Sequence, residues 1–277
     1  MKKVLGIPNG SLEKPTIELL KKIGLKMNIG GRKFESVVEG FDVFSKVIKM
    51  RPQDIPEAII DGMIDVGITG LDQVYESGQE KELKIIAELN YSKKLKKPVR
   101  VVLFSKNSSF VDKEGLLVAS EYPVLTKKFF KKATIRFSHG GTEQKVAYGK
   151  YDYGVCVTET GESLRKNGLV IVKTLLISPT VLIAKRESSE LKYFGQLIVG
   201  GLNAEKYSLV KMNVENEVKD TVLKTLPAIT SPTVSRLSDG DYAIETIVVK
   251  DKIGNLIVNL MNRGAKGILV QDVEVVV

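Results

Sequence analysis

One pattern constrains this chain more than any other: a short apolar run passes into a glycine- and hydroxyl-rich turn, and the turn into a helix start. Residues Val155–Gly168, V-C-V-T-E-T-G-E-S-L-R-K-N-G, spell it in full. Val155, Cys156 and Val157 read as the end of a buried strand. Thr158, Glu159, Thr160, Gly161, Glu162 and Ser163 form the turn, and Leu164-Arg165 begin the helix. Backbone N–H groups at a helix start lack intrahelical partners, and the helix dipole favours negative charge there, so this is the physical recipe for an anion cradle. Gly161 lets the backbone approach a phosphate closely, and Thr158, Thr160 and Ser163 add hydroxyl donors. The same spelling also suits an ordinary capped β–α turn, and no G-K-[ST] marks it as a P-loop.

The pattern recurs upstream. Val4–Pro8 reads as a buried strand, Asn9-Gly10-Ser11 as the turn after it, and Ser11 as the cap of a helix over Leu12–Ile23 that Gly24 stops. Phe44–Met50 is strand-like, and a helix starting at Asp54 or Pro56 runs through Asp61 and closes at Gly62. Asp65–Gly70 is a second buried strand ending in a glycine turn, with Asp72 just beyond. This alternation predicts a mainly parallel α/β sheet whose ligands gather at the C-terminal strand ends, where Asn9–Ser11 and Thr69–Asp72 fall.

Beyond Tyr91-Ser92-Lys93 a lysine cluster and Pro98 mark the crossing to a second α/β unit. Val99–Phe104 and Leu116–Ser120 are its first predicted strands and Tyr122–Lys132 its helix. Phe137–Glu143 is a strand-to-turn segment that brings Glu143 beside the cradle. His139, the only histidine, is followed by Gly140-Gly141, a setting that reads as a turn rather than a general base. Thr174–Lys185 is read as one returning strand and Glu187–Asn203 as a helix. From Ser208 the predicted order is strand (to Val214), helix (Glu217–Leu226), strand (Thr233–Leu237), strand (Tyr242–Val249), helix (Lys252–Arg263) and strand (Gly267–Val275). This β-α-β-β-α-β order is ferredoxin-like, and it carries no reactive constellation.

Charge narrows the function classes. The net charge is +9, and between Lys93 and Lys150 there are 14 Lys and Arg against 4 Asp and Glu, so one segment holds the whole excess. That segment contains no RNA-binding motif, helix-turn-helix pattern or long basic helix, which favours a small phosphorylated ligand over nucleic acid. No apolar stretch reaches membrane-spanning length, and the N-terminus lacks the apolar run of a signal peptide. A single cysteine excludes an internal disulfide and fits a reducing compartment, so a cytoplasmic protein is expected. One histidine and one cysteine also argue against a zinc site.

Taken together, several segments resemble the long form of the ATP phosphoribosyltransferase family, which opens histidine biosynthesis. They are L-G-I-P-N-G-S-L (Leu5–Leu12), D-V-G-I-T-G-L-D (Asp65–Asp72), Y-S-K-K-L-K-K-P-V-R (Tyr91–Arg100), G-G-T-E (Gly140–Glu143), T-E-T-G-E-S-L-R-K-N-G-L (Thr158–Leu169), S-P-T-V-S (Ser231–Ser235) and R-G-A-K-G-I-L-V (Arg263–Val270). Each is weak alone, but their order over nearly the whole chain is specific. The resemblance implies an α/β chain of two periplasmic-binding-protein-like lobes followed by a ferredoxin-like (ACT-like) α+β domain. On that reading residues 1–93 and 179–205 form lobe I on the nucleotide side of the cleft. Residues 94–178 form lobe II, which binds phosphoribosyl pyrophosphate (PRPP), and 206–277 the regulatory domain. It further implies ATP and PRPP as substrates, Mg2+ with PRPP, histidine as feedback effector, and a homo-oligomer running from dimer to hexamer.

Carried over by position, Cys156 and Thr158–Ser163 (Thr158, Glu159, Thr160, Gly161, Glu162, Ser163) are expected around PRPP. Asn9, Gly10, Ser11, Gly70, Asp72, Tyr91, Ser92, Arg100 and Glu143 are expected around nucleotide and pyrophosphate, and Ser231 and Thr233 at the effector. No protein nucleophile, general base or metal ligand is assigned. The chain departs from the family at Cys156, where an acidic residue usually meets the ribose hydroxyls. It departs again at Glu162, which replaces a small hydroxyl residue, and in Gln144–Tyr153, which lacks the usual proline. Those departures are expected to weaken PRPP affinity, ahead of a shifted substrate. The alternative they leave is a catalytically impaired paralogue that binds a small anion or nucleotide.

Overall fold

The computed structural model describes residues 2–29, 31, 33–91, 98–227 and 231–277. The chain divides into two compact units, Met1–Gln196 and Leu197–Val277.

In chain order the first unit contains β1 (Lys3–Pro8), α1 (Glu13–Lys22), β2 (Lys26–Met27), β3 (Glu35–Glu39), β4 (Phe44–Met50), α2 (Ile55–Ile60), β5 (Val66–Gly70), α3 (Leu71–Glu76) and β6 (Lys84–Leu89). Next come β7 (Val99–Ser105), β8 (Leu117–Ser120), α4 (Pro123–Lys127), β9 (Thr134–Phe137), α5 (Thr142–Ala147), β10 (Tyr153–Thr158), α6 (Glu162–Lys166), β11 (Val170–Ser178) and β12 (Thr180–Ala184). Helix α7 (Ser189–Ala204) runs across the boundary between the units.

Among the described residues these strands make two sheets, ordered β2-β3-β4-β1-β5-β12-β6 and β11-β7-β10-β8-β9. Strand β1 is parallel to β4 and β5 and is covered on both faces, which is why it reads as a continuous apolar run with Leu5 and Ile7 fully buried. The first sheet is mixed rather than mainly parallel, because β3 is antiparallel to β4, and β12 to both β5 and β6. Strand β12 enters straight from the second sheet with no crossover helix to turn it, so it runs against its neighbours. In the second sheet β8, β9 and β10 are parallel, while β7 is antiparallel to β10 and β11.

Four further sequence expectations change. The single strand expected over Thr174–Lys185 is two strands in different sheets, interrupted at Pro179, which has no N–H to give a ladder. The helix expected over Tyr122–Lys132 shrinks to α4, because the Asp112 carboxylate takes the amides of Lys131, Lys132 and Ala133 at 2.8, 3.1 and 3.1 Å and pulls the chain out of the helix. Ser11 makes no cap; Gly10–Leu12 is a 3-10 turn, and Thr16 Oγ1 donates to Leu12 O at 2.7 Å as α1 begins. The C-terminal unit's first helix is shorter than Glu217–Leu226.

That unit is built from β13 (Tyr207–Val214), α8 (Lys219–Leu223), β14 (Thr233–Arg236), β15 (Tyr242–Val249), α9 (Ile253–Asn262) and β16 (Lys266–Asp272). Its antiparallel sheet is ordered β14-β15-β13-β16. Alternate residues Val210, Met212 and Val214 of β13 and Ile244 and Val248 of β15 pack on Leu256 and Leu260 of α9, so period-2 strands meet the apolar stripe of a helix. The α+β order and the one-sided sheet are ferredoxin-like, as the sequence pattern implies.

Candidate active site

The parallel pairing of β1 and β5 brings their C-terminal ends, and with them Asn9–Ser11 and Gly70–Asp72, to one edge of the first sheet; Asn9 N also donates to Met50 O at the end of β4, at 2.8 Å. Asp72, in the first turn of α3, is 5% exposed yet carries a carboxylate. Ser178 Oγ donates to its Oδ1 at 2.5 Å, and Gln73 Nε2 and Tyr122 Oη donate to its Oδ2 at 2.5 and 2.8 Å. The Asp72 N–H in turn donates to Ser178 Oγ at 2.8 Å. Gly70 makes this possible, since a Cβ there would strike the Asp72 carboxylate. The Tyr91 hydroxyl shares a 2.6 Å hydrogen bond with Thr16 Oγ1, and Thr180 Oγ1 donates to the Tyr91 carbonyl at 3.0 Å. Burial pushes the phenol pKa of Tyr91 far up, and burial followed by the Asp72 charge does the same to Tyr122, so both stay protonated donors.

Across from these groups stands the loop after β10. Gly161 takes the left-handed conformation (φ 73°) that ends the strand and opens α6. Thr158 Oγ1 accepts the Gly161 N–H at 2.9 Å and Thr160 Oγ1 accepts the Glu162 N–H at 3.2 Å. These two amides therefore brace the turn instead of facing a ligand, and the sequence-based picture of an open amide cradle is corrected to that extent. Each hydroxyl keeps its own O–H to donate. Glu162 points to Lys166 at 2.7 Å on an exposed face, and Ser163 Oγ donates to Glu143 Oε1 at 3.3 Å. Arg165 Nη1 donates to Thr160 O at 3.0 Å, which sets a guanidinium at the loop.

Between the two sheets lies a cavity of about 290 Å³. Of the predicted residues it brings together Ser11, Gly70, Asp72, Tyr91, Thr158 and Glu159. Asn9, Gly10, Arg100, Glu143, Thr160, Gly161, Glu162 and Ser163 are not in its wall, and Ser92 lies outside the described residues. Cys156 is 3% exposed beneath the loop, among Val102, Phe104 and Leu164; burial first, then the Glu121 and Glu143 charges, push its thiol pKa up and keep it neutral. His139 packs edge-on against Phe137, 4.4 Å between centroids. Thr233 opens β14, a fully exposed strand of the C-terminal unit, and Ser231 precedes it.

Sequence reasoning missed Tyr122, Gln73 and Ser178, whose partner is 50, 1 and 106 residues away respectively. It also missed Glu76, whose two oxygens accept the Val124 and Leu125 amides at 2.9 and 3.0 Å and so cap α4 across the cleft. Beside it Lys128 pairs with Glu80 at 2.7 Å. Only the E-Y-P spelling of Glu121–Pro123, a strand end before a helix-starting proline, hinted at this corner. Among the described residues no three His, Cys, Asp or Glu side chains gather into a metal cage.

Two α/β sheets whose strand ends and hydroxyl-rich loop border one cavity, followed in the chain by a ferredoxin-like unit, define a two-lobed α/β protein with a C-terminal α+β domain. The sequence model described as "HisG: ATP phosphoribosyltransferase" matches residues 51–202, and "HisG, C-terminal domain" matches 204–275. The ATP phosphoribosyltransferase of Desulforudis audaxviator is 36% identical over 97% of both chains. That of Nitratidesulfovibrio vulgaris (strain DP4) is 36% identical over 96% of this chain and 94% of its own. A solved structure, the ATP phosphoribosyl transferase (HisG:HisZ) complex from Thermotoga maritima, superposes with a TM-score of 0.56 at 26% identity, covering 67% of this chain and 88% of that one. The chain belongs to the ATP phosphoribosyltransferase family, glycosyltransferases of histidine biosynthesis.

Proposed function

We propose that the cleft joins N1 of ATP to C1 of PRPP and releases pyrophosphate. The observation that carries this reading is that Thr158 and Glu159, the first residues of the hydroxyl-rich loop, share one cavity with Asp72 and Tyr91. The O–H groups of Thr158 and Thr160 hold the 5′-phosphate, Ser163 joins them once its O–H turns away from Glu143, and Arg165 offsets the charge. The cavity wall includes the apolar side chains of Leu12, Pro52, Val99 and Val157, which suit the flat, uncharged adenine. Asn9, Gly10 and Ser11, Gly70 and Asp72, with Tyr91, Ser92 and Arg100, serve the nucleotide and pyrophosphate.

Cleavage of the C1–oxygen bond runs ahead of bond formation, so positive charge builds on the sugar as pyrophosphate leaves. Such a reaction needs alignment of N1 and neutralisation of the leaving group more than a strong base. Magnesium bound to pyrophosphate supplies part of that neutralisation. The donor set fits an ion carried in chiefly by phosphate oxygens, with Glu143 at the loop edge able to lend a carboxylate.

The lobes on this reading are residues 1–93 with 179–205, and 94–178. Residues 206–277 sense histidine through Ser231 and Thr233, the assembly runs from dimer to hexamer, and the protein works in the cytoplasm. The rival reading, an impaired binding module, rests on Cys156 and Glu162. It loses support because Cys156 lies beneath the loop and Glu162 turns out to Lys166. Incubation with ATP, PRPP and Mg2+, followed by the absorbance of phosphoribosyl-ATP, tests the function. Steady product formation is expected, and none beside an active control enzyme overturns it.

A further inference from the structure

Glu121 follows directly on β8, whose Ser120 is in register with Val155 of β10, so Glu121 and Cys156 stand side by side on neighbouring strands. The Glu121 N–H donates to Val155 O at 3.0 Å, which fixes its backbone next to the phosphate loop. A relay fixes its side chain. Lys145 Nζ donates to Ser138 Oγ at 2.7 Å, Ser138 and Thr142 hydroxyls meet at 2.8 Å, and Thr142 Oγ1 donates to Glu121 Oε1 at 2.7 Å. Among the described residues the other oxygen, Oε2, accepts no hydrogen bond. Burial raises the pKa of this carboxyl group, Glu143 adds to the rise, and Lys145 opposes it. The charge of Glu121 raises the pKa of both the Cys156 thiol below the loop and the Tyr122 phenol in the cleft wall.

A half-desolvated carboxylate with one uncommitted oxygen gains free energy from any donor that reaches it, and it repels a phosphate. On a phosphoribosyl donor held by the loop, the part that suits it is the sugar, which is uncharged, carries two O–H donors and becomes positive as pyrophosphate leaves. Cys156 cannot do this work, because a neutral thiol is a weak hydrogen-bonding group.

We infer that Glu121 binds substrate: its Oε2 accepts a ribose hydroxyl of PRPP, supplying from β8 the carboxylate that β10 lacks at Cys156. The inference rests on the transferase reading above. Glu121 acts together with the loop, which grips the phosphate while Glu121 sets the rotation of the sugar about it.

The test compares PRPP with analogues lacking the 2- or the 3-hydroxyl, in the full-length wild type and in Glu121→Gln, with kcat/KM as readout and ATP saturating. In the wild type one deletion should cost roughly tenfold or more, the worth of a hydrogen bond to a charged group. In Glu121→Gln that penalty should largely vanish, with KM for PRPP raised and KM for ATP unchanged. A purely structural glutamate lowers activity on all three donors alike. Equal penalties in the two proteins, or no penalty in the wild type, overturn the inference while leaving the transferase reading intact. No turnover of PRPP by the wild type sinks both. If Glu121→Gln does not fold, Glu121→Asp, which keeps the charge but withdraws the oxygen, should show the same loss of discrimination.

Discussion

Thr246 of β15 is 5% exposed, and its hydroxyl has no hydrogen-bond partner among the described residues. It alternates with Ile244 and Val248, on the face that meets α9. An unsatisfied buried hydroxyl is a cost that an apolar residue of the same shape removes. Thr246→Val should therefore stabilise the protein by about 1 kcal/mol, read as a higher transition midpoint in calorimetry; a lower midpoint contradicts it. The Asp72 site has the opposite character, every described donor being matched to an oxygen, and the sequence shows only half of it. D-V-G-I-T-G-L-D marks a strand end with a carboxylate beyond it, but Gly70 is extended and is needed to let the Asp72 carboxylate approach, not to make a glycine turn. The partners Tyr122 and Ser178 were not legible, because pairing across 50 and 106 residues is set by how the two sheets meet and leaves no periodic trace in the chain.

At the level of elements, apolar runs bounded by glycine or proline were read well: β4 and β15 have the expected ends, and Gly24 and Gly62 stop α1 and α2. Elements whose limits depend on distant side chains were not. Helix α4 is short because Asp112, from a loop before β8, captures the amides that follow it. Its first turn is capped by Glu76, at the end of α3. Since helix-capping side chains contribute on the order of 1 kcal/mol, Glu76→Ala should lower stability by about 1–2 kcal/mol in denaturant titration. It should also reduce activity, because α4 carries Tyr122 at its start. An unchanged midpoint would mean that the α3–α4 junction is held by Lys128–Glu80 and packing alone. The loop after β10 was legible as an anion-binding turn but not in its wiring. Thr158 and Thr160 can each serve as acceptor to the turn or donor to a ligand, and composition cannot say which.

At the scale of the whole molecule, the net charge of +9 is concentrated between Lys93 and Lys150, the segment that also supplies Tyr122 and Val99 to the cavity wall. No helix among the described residues is long and apolar enough to cross a membrane. If the C-terminal unit senses histidine, millimolar histidine should raise the melting temperature by mass action; calorimetry showing neither heat of binding nor a shift contradicts that role. Where PRPP sits decides whether the cleft is a transferase site. A crystal structure with PRPP and Mg2+ should place the 5′-phosphate within hydrogen-bond distance of the Thr158 and Thr160 hydroxyls, leaving the cavity lined by Gly70 and Tyr91 for the adenine. A phosphate bound elsewhere, with the Thr158–Ser163 loop empty at saturating ligand, would contradict the account.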